Sequence, residues 1–125
     1  MSLILFISYT TASLVLLAVF TRLYIWVTPY DEMADISNGR VAPAIALGGA
    51  MLGFTFPLLV ASYLHSDMLE FLAWGFLACL VQLGVFWLLH GLLPRVIETN
   101  NAAGAICFAA ASVCAGLINA ASFIP

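Results

Sequence analysis

Side chains able to do acid–base, nucleophilic or metal chemistry are few in this chain and lie mostly between its apolar stretches. His65, Asp67 and Glu70 share one short polar segment and carry atoms of the kinds that bind metal ions. A metal site needs ligands that converge, and three ligands in one short loop favour a solvated connector instead. The sequence has no nucleophile elbow, zinc motif or phosphate loop. We therefore expect no catalytic residue, metal or cofactor.

The three cysteines, Cys79, Cys107 and Cys114, lie inside apolar stretches and form no CxxC pair. The spacing of Cys107 and Cys114 places them on one helix face but too far apart to form a disulfide bond. We interpret all three as small buried apolar residues, with redox chemistry as the alternative.

Composition identifies the class of protein that must position these residues. Of 125 residues, 65% are hydrophobic and 7% are charged, whereas a soluble domain has about 25% charged residues. A membrane span needs about 20 apolar residues, and four such stretches are present. The net charge of −3 is too small and dispersed to indicate a nucleic-acid partner. We predict an all-α integral membrane four-helix bundle in one domain, with spans at about 3–27, 41–63, 69–93 and 102–123.

The basic residues predict the orientation. Arg22 and Arg40 flank the first polar break, Arg95 lies in the third, and the second has none. Because basic residues favour the cytoplasmic side, we expect residues 28–40 and 94–101 to be cytoplasmic and both termini to lie outside.

The two halves of the chain, about 1–63 and 64–125, share an order of features: a proline, an acid, an asparagine and then a span rich in small residues. Both copies run in the same sense, which predicts parallel repeats of a two-span hairpin. Small residues allow helix backbones to approach closely. We therefore expect spans two and four to form the central pair and span four to be the most enclosed helix.

The small residues of these two spans have regular spacing. Gly49 and Gly53 form a GxxxG pair, and Ser112, Gly116 and Ala120 repeat the four-residue spacing. A packing seam is the plainer interpretation, and a hinge is the alternative. Pro57 lacks an N–H and leaves the carbonyl of Gly53 without its helical donor, which predicts a kink there.

Gln82 is the most polar residue deep in any span, at a depth similar to that of Ser13 and Ser112. An unpaired amide in hydrocarbon costs several kcal/mol, so Gln82 should point into the bundle. Two interpretations stay open, an interhelical hydrogen bond or a solute pathway. Thr55 and Asn119 lie nearer the outer face, where Asn119 could hydrogen-bond to a neighbouring span. The spans hold no mid-depth charge, which argues against a proton pump.

The first polar break predicts a short amphipathic helix at the cytoplasmic interface, with Thr28 as N-cap and Pro29 at the first helical position. Its acids, Asp31, Glu32 and Asp35, form either a docking surface for a cytoplasmic or peripheral membrane protein or a solvated connector. Arg40 and Asn100 occupy equivalent positions before spans two and four, where lipid phosphate binding or helix capping would suit them. The full set expected at the cytoplasmic interface is Arg22, Arg40, Arg95 and Asn100.

The segments TPYDEM…NGRVAPAIALGGAMLGFTFPL, FLAWGFLACLVQLGVFW and NNAAGAICFAAASVCAGLINAAS resemble the YjfL-like family of small bacterial inner-membrane proteins. The resemblance covers nearly the whole chain. It implies a four-span inner-membrane protein with a duplicated two-span unit and without known catalytic residues. It also suggests a membrane component of an envelope-stress or membrane-maintenance system. One departure is Arg40-Val41-Ala42-Pro43, where the family pattern is Asn-Thr-Ala-Ala, so a role for a symmetric asparagine pair is in doubt.

Two functions follow as hypotheses. The first is a non-catalytic membrane anchor or sensor for a cytoplasmic partner. The second is a channel or small-solute pathway around Gln82, formed by a homo-oligomer. An enzyme acting on lipid or quinone is disfavoured because no acid, base or nucleophile converges in the sequence.

Overall fold

Within residues 2–28, 31–64 and 67–124, which the computed structural model describes, the chain consists of helices and short connecting segments. Four of these helices are long and apolar enough to cross a membrane. This confirms the predicted all-helical, four-span fold, and the helix bounds differ from the expected spans by at most one residue. The helices are α1 (Leu3–Val27), α2 (Glu32–Ser37), α3 (Val41–Leu64), α4 (Met68–Leu92) and α5 (Ala102–Ser122).

The long helices begin at residues that can satisfy the unpaired N–H groups of a first turn. The side chains of Ser2, Asp67 and Asn101 accept hydrogen bonds from the first turns of α1, α4 and α5 at 3.1, 3.2 and 3.1 Å. Such caps replace the water that a helix end would otherwise bind. Asp67 is therefore used in capping, while the other histidine-containing part of that loop, His65, lies outside the described residues.

The short helix α2 exists, but it begins later than the sequence pattern predicted. Thr28 is the C-cap of α1 in an extended conformation, as expected for a residue that precedes proline. Asp31 is the N-cap of α2 and accepts a hydrogen bond from the N–H of Ala34 at 3.2 Å. Gly39, with φ of +79°, follows the helix in the left-handed conformation that terminates helices. The predicted capping role of Thr28 is thus wrong, and Pro29 lies outside the described residues.

The α3 helix lies at the centre of the bundle, and its most extensive contact is with α5. Half of the α3 span is buried, against 22% of the α5 span. The expectation that the fourth span is the most enclosed is therefore wrong. α5 packs against α3 on one side only, and its opposite face is left uncovered. Cys107 and Cys114 lie exposed on that face, so of the three cysteines only Cys79 is buried.

Small residues set the distance between α3 and α5. A Cβ atom on Gly49 would overlap Ala109, and one on Gly53 would overlap the carbonyl of Ser112. A Cβ on Gly116 would overlap the carbonyl of Gly53. α3 is helical through Pro57, and the carbonyl that this proline leaves free faces the Cα of Gly116. The predicted seam residues are all buried: Gly49, Gly53, Pro57, Ser112, Gly116 and Ala120.

Aromatic contacts attach α1 to this pair and to α4. Phe20 stacks on Phe54 with ring centroids 4.7 Å apart, and Tyr24 meets Phe86 edge-on at 4.8 Å. Phe20 and Tyr24 are fully buried, yet 11% of the α1 span is buried. One stripe of α1 therefore anchors it, and the rest of its surface faces away from the bundle.

Gly116→Ala should destabilise the bundle by about 1–3 kcal/mol, the usual range for overpacking, because its Cβ would meet the Gly53 backbone. Thermal unfolding in detergent, followed by tryptophan fluorescence, measures the effect. Gly84→Ala is the matched control, since the space around Gly84 in α4 is open, and removing a mid-helix glycine should stabilise by roughly 0.5–1 kcal/mol. Equal melting temperatures for the two variants would contradict the close approach.

Candidate functional site

The deepest polar contact joins three helices. The Nε2 of Gln82, in α4, donates a hydrogen bond of 2.8 Å to the carbonyl of Ser112, in α5. Gly53, in α3, lies beside the same amide, because a Cβ there would come within 2.6 Å of Nε2. Gln82 is 1% exposed, and its Oε1 has no hydrogen-bond partner among the described residues. Gln82 therefore links helices from a site enclosed by backbone.

The other intramembrane polar residues do not join Gln82 in one layer. Ser13 lies with Thr55 in a groove between α1 and α3. The Thr55 hydroxyl donates to the carbonyl of Leu52 in its own helix. Asn119 is half-buried on α5, and its Nδ2 has no partner among the described residues. The mid-depth set predicted as a pathway is thus divided between the bundle interior and its outer surface.

Two polar side chains cross between the loops at one end of the bundle, which we call the α2 end and which holds α2 and residues 94–100. The Nη2 of Arg40 donates to the carbonyls of Ile97 and Glu98, each at 2.8 Å. In return, the Oδ1 of Asn100 accepts from the N–H of Ala42, in the first turn of α3, at 3.0 Å. Each loop therefore satisfies backbone groups of the other.

The geometry of Asn100 explains how it reaches α3. Its φ of +53° is in the left-handed region, which asparagine adopts more readily than most residues. The next residue, Asn101, caps α5. Consecutive asparagines thus cap two different helices. Arg40, in place of the family's asparagine, binds carbonyls rather than capping a helix N-terminus.

Two apolar side chains close this end between α3 and α5. Val96 and Ile97 are 7% and 1% exposed and belong to a small core with Ala42, Ala105 and Phe108. Sequence analysis missed both, because they stand in a polar segment. Their adjacency between Arg95 and Glu98 was the signal that could have found them.

Glu32 is the least expected residue of the α2 end. Its side chain is fully buried, although it belongs to a short exposed helix. The hydroxyl of Thr28 donates to its Oε1 at 2.5 Å, and its Oε2 has no partner among the described residues. Burial raises the pKa of the Glu32 carboxyl from 4.5 to about 7 and outweighs the Thr28 hydrogen bond, which lowers it; Asp35 adds a smaller upward effect. Glu32 therefore cannot contact a partner from the surface, which corrects the predicted three-acid docking surface.

The remaining charged residues of the α2 end face outward. Asp31 and Arg95 are exposed, and Asp35 is half-buried with its Oδ1 4.0 Å from the Nε of Arg40. Met33 is 51% exposed, so the apolar side of α2 inferred from its spacing does not pack inward at this position. Arg22 is exposed on α1, more than one turn before that helix ends.

Glu32→Gln should remove a pH dependence of stability. Between pH 4.5 and about 7 the folded state binds the Glu32 proton more tightly than the unfolded state does, so the free energy of unfolding should fall as pH rises through 7. The loss should be on the order of 2 kcal/mol, since one pKa unit corresponds to about 1.4 kcal/mol. Melting temperatures in detergent from pH 5 to 8 test this. The variant should be flatter with pH and more stable than wild type at pH 8.

The exposed Glu98 provides the matched control, and Glu98→Gln should keep the wild-type pH profile. A Glu32→Gln profile that parallels wild type over this range would show that Glu32 is not the group that titrates.

Comparison with known proteins places the chain in a family. The model of the family described as "Domain of Unknown Function (DUF350)" matches residues 1–123. The UPF0719 inner membrane protein YjfL of Escherichia coli (strain K12) is 31% identical over 124 residues, which cover 96% of this chain and 93% of that protein. The UPF0719 transmembrane protein YshE of Bacillus subtilis (strain 168) is 26% identical over 107 residues, covering 81% and 80%. No solved structure matches.

Neither relative's name assigns a catalytic activity, and both names place those proteins in a membrane. These findings confirm the resemblance inferred from the sequence segments. The chain is a small membrane protein, and it belongs to the DUF350 family, to which the UPF0719 relatives are similar over most of their length.

Proposed function

We propose that this protein is a non-catalytic membrane anchor whose α2 end binds a peripheral membrane protein. The observation that carries the proposal is the construction of that end. Arg40 and Asn100 tie the two loops together, although neither loop belongs to a spanning helix. A connector without a role in binding has no need of a fixed backbone, whereas a docking surface gains affinity from being pre-organised.

The exposed side chains of the α2 end define the chemistry of the partner. Asp31, Asp35 and Glu98 supply negative charge, and Met33 supplies one exposed apolar side chain among them. A partner segment with basic residues around a small apolar pocket would complement this surface. Charged groups of this kind direct encounter and orientation, while the buried apolar contact contributes most of the affinity.

The distribution of arginines supports a cytoplasmic location for this surface. Arg22, Arg40 and Arg95 all lie in the α2 half of the bundle, and basic residues accumulate on the cytoplasmic side of membrane proteins. With the inner-membrane location in the name of the Escherichia coli relative, this favours a multi-pass inner-membrane protein with both termini outside. The family resemblance alone supplies the class of partner, a protein of an envelope-stress or membrane-maintenance system.

Site-specific photo-cross-linking in cells tests the proposal. A photoreactive residue in place of Met33 should give a defined adduct with a peripheral membrane protein. The same residue in place of Leu69, which is 74% exposed at the opposite end, should give none. The double variant Asp31→Asn, Asp35→Asn should reduce the Met33 adduct several-fold, since it removes two charges while asparagine preserves the N-cap of α2.

Glu70→Gln, at the opposite end of the bundle, is the charge control and should leave the adduct unchanged. Equal adducts from positions 33 and 69, or a Met33 adduct that survives neutralisation of both aspartates, would argue against docking at the α2 end.

A further inference from the structure

An apolar groove runs along the outside of the bundle between α1 and α3. Two adjoining cavities of about 380 and 400 Å³ form it, and both are lined by Leu14 and Leu17. Met51 lines the part nearer the α2 end, and Leu59 lines the part nearer the opposite end. The groove exists because α1 is anchored by one aromatic stripe and leaves the remaining space to α3 unfilled.

Arg22 lines the groove toward the α2 end. It stands five residues before Val27, the last residue of α1, which is roughly 7 Å of helix at about 1.5 Å per residue. No carboxylate among the described residues forms an ion pair with it. A cation inside a span requires an anionic partner or water at the interface, and the protein's described acids do not provide one.

The rest of the groove offers no competing charge. Thr21, beside Arg22, donates its hydroxyl hydrogen to the carbonyl of Leu17 at 2.9 Å. At the opposite end, Thr55 and Ser62 donate to carbonyls of their own helix. The groove is therefore apolar along its length with a single positive charge toward one end.

The dimensions match one lipid chain. The groove follows α1 from Ser13 to Ile25, which corresponds to roughly 18 Å of helix at about 1.5 Å per residue. The hydrocarbon layer of one leaflet is about 15 Å thick, half of a core of about 30 Å.

We propose that this groove binds one anionic phospholipid from the leaflet at the α2 end, with an acyl chain between α1 and α3 and the phosphate on the Arg22 guanidinium. The guanidinium donates charge-assisted hydrogen bonds to phosphate oxygens. An anionic headgroup is favoured over a zwitterionic one because the ammonium of the latter offsets the attraction. Asp31, Asp35 and Glu98 lie beyond this depth and repel anionic lipid from the loop surface, so the attraction is confined to Arg22.

Native mass spectrometry of the protein, extracted from vesicles of equal phosphatidylglycerol and phosphatidylethanolamine, tests the site. Wild type should retain phosphatidylglycerol in preference, with about one molecule per chain. Arg22→Gln should lower that retention roughly tenfold, the ratio expected for loss of one charge-assisted hydrogen bond. Arg22→Lys should retain most of it, and Arg95→Gln, which removes an equal charge away from the groove, should match wild type.

Ala18→Phe tests the acyl part, because Ala18 lines the groove and a phenyl ring there would fill it while Arg22 remains. It should also lower retention several-fold. Equal losses from Arg22→Gln and Arg95→Gln would reveal only general surface attraction and overturn the proposal. So would unchanged retention in Ala18→Phe, retention of both lipids alike by wild type, or a change in the number of protomers in Ala18→Phe, which would assign the groove to a second copy.

Discussion

The close approach of the Gly53 and Gly116 backbones is the contact on which the rest of the bundle depends. In a bilayer, apolar helices gain little from excluding lipid, so association depends on packing and on interhelical hydrogen bonds. Glycine at both positions lets α5 approach the α3 backbone, where the carbonyl left free by Pro57 meets a Cα instead of a side chain. Gln82 then joins α4 to the same point through the Ser112 carbonyl.

The α3–α5 contact also determines what happens at the α2 end. Because the two helices lie side by side and begin at the same end, the residues before each helix are within reach of the other loop. Arg40 and Asn100 use that proximity in different ways, one binding carbonyls and the other capping α3. The replacement of the family's first asparagine by arginine thus keeps a connection between the loops but changes its chemistry.

The outer helix follows a looser rule. α1 is held by Phe20 and Tyr24, and its remaining surface is available to other molecules. The polar groups follow the same division. Gln82 and Ser112 sit inside the central pair, whereas Ser13 and Thr55 lie in the peripheral groove. A continuous polar layer through the bundle is absent from this arrangement of the described residues, and no observation therefore favours a solute pathway.

The sequence by itself determined the number of spans, their bounds and the small-residue pairing of α3 with α5, because apolar length and glycine spacing are local properties of the chain. It could not determine which face of each helix is covered. Composition predicted that α5 would be the most enclosed helix, yet α5 has a single packing side and leaves Cys107 and Cys114 exposed. Only the tertiary structure placed Glu32 inside the protein, since the bodies that exclude water from it belong to distant parts of the sequence. The same holds for Arg40 and Asn100, whose partners lie 57 and 58 residues away along the chain: capping residues are recognisable in a sequence, but the helix they cap depends on which chain ends the fold brings together.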